Sequence, residues 1–167
     1  MPKKVFISYS HDDATHVARV RKLADSLRKY GVVCFIDQYE QDWAQGDGAL
    51  CMQRWIEESD LVLVVCTEIY KRRIEKSEAP RTGQGAKWEG LLIRNLLYDN
   101  DSANTKFVPV LFDPKDEEHR PLPLKGAHYY LVNDQPGFDR LYAYLTDQNP
   151  DPAPPVGEVV TLTSVPP

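Results

Sequence analysis

The run Leu61-Val62-Leu63-Val64-Val65-Cys66 constrains the fold more than any other stretch of this chain. An unbroken apolar run of this length leaves no polar face for water, so it reads as a strand covered on both sides, the central position of a parallel sheet. Similar runs stand at Val5 to Ile7, Val32 to Ile36, Phe107 to Phe112 and Tyr129 to Val132. Between them the period changes to that of helices. Val17, Val20, Leu23, Ala24 and Leu27 form one apolar stripe, closed by Tyr30-Gly31, where glycine accepts the left-handed cap. Leu50, Met52, Trp55 and Ile56 mark a second helix. A third begins near Ala86 and carries Trp88, Leu91, Leu92, Leu96 and Leu97 toward Tyr98, and Phe138, Leu141, Tyr142 and Leu145 mark the last.

Strands alternating with helices require right-handed crossovers and a parallel sheet with helices on both faces. The expected architecture is α/β: a flavodoxin-like, doubly wound, five-stranded parallel sheet of order 2-1-3-4-5. Asp37 to Gly48, acidic, aromatic and without a period, reads as a surface loop. Thr67 to Gln84 shows no helical pattern, and Lys115 to Lys125, polar and proline-bearing, reads as an exposed loop.

The 167 residues suit one domain, expected over residues 1–149. From Pro150 to Pro167 the prolines cluster and core-forming residues thin out, the composition of a linker or disordered tail. A formal net charge of -5 argues against a nucleic-acid surface. No apolar stretch reaches membrane-spanning length, and Met1-Pro2-Lys3-Lys4-Val5 runs straight into a strand, so no membrane contact and a cytoplasmic location are expected. The three cysteines make no disulfide framework and no metal spacing.

In a sheet of this order the chemistry gathers at the carboxyl ends of strands one and three. There Ser10 to Asp13 and Cys66 to Glu68 are expected to line a crevice, with Ser10 and Asp12 as candidate binding residues. One of these hydroxyl and acid groups is also expected to cap the next helix. A phosphoryl-accepting receiver is excluded, because Cys66-Thr67 stands where its aspartate belongs and Asn133-Asp134 where its lysine belongs. Gly83-Gln84-Gly85 is a weak dinucleotide turn, with Trp88 at the third glycine position.

The stretch Lys4-Val5-Phe6-Ile7-Ser8-Tyr9-Ser10-His11-Asp12 resembles the first box of Toll/interleukin-1 receptor (TIR) domains. Val32 to Asp37, Trp55-Ile56, Tyr70 and Gly83-Gln84-Gly85-Ala86-Lys87-Trp88-Glu89-Gly90 narrow the likeness to the bacterial SEFIR branch of that superfamily, over roughly Lys3 to Leu145. The resemblance implies two activities of different classes. Many such domains associate with like domains, often through the loop after strand two; others hydrolyse NAD+ at the nicotinamide-ribose bond, and bacterial members often serve in antiphage defence. The catalytic carboxylate then falls on Glu89, with NAD+ as substrate and no further cofactor. Trp88 is a candidate for stacking on a base, and Trp43 for a lid or partner contact. Glu89 also reads as a first-turn acid complementing the helix dipole, and Trp88 as a core aromatic. An adaptor without turnover therefore stays open beside the enzyme.

Overall fold

The computed structural model describes residues 3–39, 48–75, 106–149 and 151–164. The chain begins with β1 (Lys4–Ser8), which leads into α1 (Ala14–Lys29). Asp13 holds the entry: its backbone is extended and its carboxylate accepts the His16 N–H at 2.7 Å, satisfying an otherwise orphaned amide. At the far end Gly31 adopts φ 91°, and the amides of Gly31 and Val32 return to the carbonyls of Arg28 and Leu27. This is the left-handed glycine stop that the sequence predicts.

β2 (Val33–Phe35), α2 (Gly48–Glu58), β3 (Leu61–Val65) and α3 (Glu68–Ile74) follow, then β4 (Phe107–Leu111), β5 (Tyr130–Leu131) and α4 (Gln135–Leu145). The strands pair in parallel in the order β2-β1-β3-β4-β5, so β3 lies at the centre. All five of its residues are buried, as a strand without a polar face requires. Alternation then divides the apolar side chains between two cores. Ile7, Leu63 and Val110 meet Val20, Leu27 and Leu141 of α1 and α4 on one face. Phe6, Val64 and Leu111 meet Ile56, Tyr70 and Ile74 of α2 and α3 on the other.

Three expectations are corrected. The segment after Thr67 is not patternless, since Glu68–Ile74 is helical and Thr67 caps it by accepting the Tyr70 N–H at 3.2 Å. Only Tyr70 and Ile74 are buried there, too few to register as a period. The stretch after β4 is folded into two 3-10 turns, Pro114–His119 and Leu122–Leu124, which bury Asp116 and Leu124 rather than lying open. Asp37–Tyr39 is likewise a 3-10 turn and Gly48 already belongs to α2, so both ends of the predicted loop are regular structure, and residues 40–47 between them lie outside the described residues. The outer strands are also shorter than their apolar runs, with β2 three residues long and β5 two. The helix expected near Ala86 lies outside the described residues.

Candidate functional site

Both β1 and β3 end on residues that turn back toward each other. Ser8, buried, shares a hydrogen bond of 2.8 Å with the Tyr70 hydroxyl of α3. Ser10, also buried, donates to Asp12 Oδ1 and lies 3.3 Å from the hydroxyl of Thr67. The Thr67 side chain that caps α3 thus also ties the exit of β3 to the exit of β1. Around this junction lies a cavity of about 390 Å3, lined by Asp12, His16, Arg19, Thr67, Glu68 and Asp116 among others.

Carboxylates dominate that lining. Asp12, Asp13, Glu68, Asp113 and Asp116 face two permanent cations, Arg19 and Lys115. Arg19 is held with its guanidinium over the Phe112 ring at 4.8 Å, and it donates to the Phe112 carbonyl at 3.1 Å. Asp116 is bonded to His119 Nδ1 at 2.9 Å. The arrangement suits hydroxyl-rich or cationic groups, which the acids accept, with the two cations available to a phosphate.

His16 is the least expected member. Its ring sits between Tyr9, with centroids 6.3 Å apart, and the edge of Phe112 at 5.9 Å, and its Nε2 has no hydrogen-bond partner. Burial holds its pKa below the ordinary 6.5, against the opposing pull of Asp12 and Asp13. The unfolded chain therefore binds a proton near neutrality that the folded chain resists, and stability rises with pH through that window. Lowering the pH from about 7.5 to 5.5 should lower the melting temperature, and His16→Leu should flatten that slope; an unchanged slope would contradict it.

A second network fixes the neighbouring turn. The Tyr9 hydroxyl donates to Asp37 Oδ1 at 2.5 Å, His11 Nε2 meets Asp37 Oδ2 at 2.6 Å, and Gln38 Nε2 donates to the Tyr9 oxygen at 2.8 Å. Tyr9 and His11 stack at 4.9 Å. The exit of β1 is thereby clasped to the turn after β2, at the root of the segment that contains Trp43.

Residues 3–145 match the family model of the SEFIR domain. The chain belongs to the SEFIR domain family. It is similar to a prokaryotic SEFIR domain of known crystal structure, at 27% identity over 87% of this chain and 96% of that one, with a TM-score of 0.61. A match to the TIR domains of the activated Roq1 resistosome, which directly recognises the pathogen effector XopQ, has 22% identity. It covers 87% of this chain and 82% of that one, with a TM-score of 0.44.

Of the site candidates in this SEFIR domain, Ser10 bonds to Asp12 and lies 3.3 Å from the Thr67 hydroxyl. Glu89, Trp88 and Trp43 lie outside the described residues. Helix capping falls to Asp13, while Asp12 faces the cavity. His16, Asp116 and His119 were missed. His16 carried a signal, since it precedes Val20 by four residues on the buried stripe; Asp116 sits in a stretch whose polarity concealed its burial. Cys34 and Cys66 are buried thiols, each pushed up to about 12 by desolvation, and so behave as small apolar groups. No helix among the described residues is long and apolar enough to cross a membrane.

Proposed function

We propose that this SEFIR domain is a signalling and defence module of the cytoplasm that associates with like domains and, once clustered, hydrolyses NAD+ at the nicotinamide-ribose bond. The observation that supports this reading is the crevice where Ser10, Asp12 and Thr67 meet beside a cavity of about 390 Å3. It lies at the carboxyl edge of the central strands, the usual ligand position in an open α/β sheet. Ribose hydroxyls would donate to Asp12 and Ser10, while Arg19 and Lys115 provide charge for a diphosphate.

Cleavage releases nicotinamide with the electron pair of the glycosidic bond and leaves positive charge on the ribose, which water then quenches. Glu89 is the carboxylate proposed to stabilise that charge, with Trp88 stacked on the base and Trp43 as lid or contact residue. NAD+ is substrate here, and the reading needs no other cofactor. The module would close near Asn149, with residues 150–167 as a proline-rich linker or tail.

A second reading is an adaptor without turnover. The Tyr9, His11 and Asp37 clasp favours it, because it fixes the root of the segment expected to make homotypic contacts. Nicotinamide release from NAD+ tests the choice, measured on dilute protein and on protein clustered by fusion to a multimerising scaffold. Release that appears or rises strongly on clustering is expected. Its absence in both forms would leave the adaptor.

A further inference from the structure

On the face opposite the α2 and α3 side, α1 and α4 enclose a groove of about 630 Å3. Its floor is aromatic. The Tyr142 hydroxyl donates to the Tyr30 carbonyl at 2.6 Å, the two rings meet edge to face at 6.2 Å, and Phe138 stacks on Tyr142 at the same separation. Two acids on its rim are already engaged: Asp134 accepts the Gly137 N–H at 2.8 Å, and Asp139 accepts from Gln135 Nε2 at 2.7 Å. Lys22, exposed on α1, has no ion pair among the described residues, so the groove combines an apolar floor with an available positive charge.

The same chain carries a segment of complementary character. Val156, Val159 and Leu162 are 99, 101 and 88% exposed, and Glu158 stands among them. Apolar side chains gathered in one short exposed run can serve as a contact surface. What precedes them decides where they go. Pro150, Pro152, Pro154 and Pro155 favour an extended, semi-rigid spacer of about 3.1 Å per residue, which carries the run outward and disfavours a tight return to the groove beside α4.

We infer that Val156 to Leu162 is an arm that docks in the α1–α4 groove of a second copy of this chain. Its valines and leucine cover Tyr30, Phe138 and Tyr142, and Glu158 pairs with Lys22. Because arm and groove are different surfaces, the contact is head-to-tail, and the rotation between copies decides whether it closes by reciprocal exchange or as a ring, or propagates into an open assembly. This inference rests on the self-association in the proposed function and gives it a surface. It does not depend on NAD+ turnover.

The test is sedimentation of three proteins over a range of concentration: the full chain, a chain ending at Asn149, and the groove variant Lys22→Glu with Tyr30→Asp. Both substituted side chains are exposed, and melting checks that each protein folds. The full chain should form concentration-dependent assemblies that weaken with salt, while the other two stay monomeric and melt at the parent's temperature. Mixed together, the truncated chain and the groove variant should form a one-to-one complex that grows no further, because one retains only the groove and the other only the arm. If the full chain associates and the truncated chain associates equally well, the arm is overturned and self-association stands. If the full chain stays monomeric throughout, both fall.

Discussion

Gly137→Ala should lower the melting temperature of this domain by roughly 10 °C, the largest stability loss expected from adding a methyl group at any of the described glycines. Gly137 lies buried in the first turn of α4, and a Cβ built there would stand 1.8 Å from the Leu131 carbonyl oxygen and 3.0 Å from its carbon. Both are backbone atoms of β5 and cannot swing aside as a side chain would. The helix must lift from the strand, which also disturbs the bond by which Asp134 accepts the Gly137 N–H. Overpacking against a fixed neighbour costs about 3 kcal/mol. Gly31→Ala is the useful contrast. Its φ of 91° is strained for alanine, but a Cβ there meets nothing within 4 Å, so the cost is the conformational one alone, about 1 to 2 kcal/mol. Thermal unfolding followed by circular dichroism separates the two. Equal small shifts would mean that α4 is not seated on β5 as described.

What could be read from the amino acids follows from how densely each segment signals. Leu61 to Cys66 announced a central strand because an unbroken apolar run has no other place in a sheet, and the Gly31 stop was legible because only one conformation ends that helix. α3 was not legible. It buries Tyr70 and Ile74 alone, and its Lys71-Arg72-Arg73 face outweighs them in any count of polarity. The turn around Asp116 was hidden for a related reason: a buried aspartate looks like surface until its histidine partner, three residues on, is seen to fold back.

At the crevice, Ser10 and Asp12 were legible from strand position alone, whereas Thr67 as a bridge between two strand ends required the sheet order to be known. His16 reads as part of an apolar stripe, and its exceptional feature, an Nε2 with no partner, exists only in three dimensions. The family resemblance added Glu89, a residue whose role no spacing in the chain specifies.

Glu89→Gln carries the largest expected effect on function. A carboxylate placed against the developing ribosyl cation acts most strongly in the transition state, so its loss should reduce turnover far more than NAD+ binding. Removing one well-placed electrostatic group costs on the order of 100-fold or more. If Glu89 instead serves only the helix dipole, the substitution costs at most about 1 kcal/mol of stability and leaves any turnover intact. The change of carboxylate to amide preserves size and shape, so a fall in rate cannot be assigned to a cavity.

Nicotinamide release from saturating NAD+ by scaffold-clustered protein, parent against Glu89→Gln with the melting of both recorded, is the most direct measurement. Rapid release by the parent, about 100-fold slower release by the variant and near-equal melting are the expected result. Equal release by the two proteins would contradict a catalytic role for Glu89, and no release by the clustered parent would contradict NAD+ hydrolysis itself.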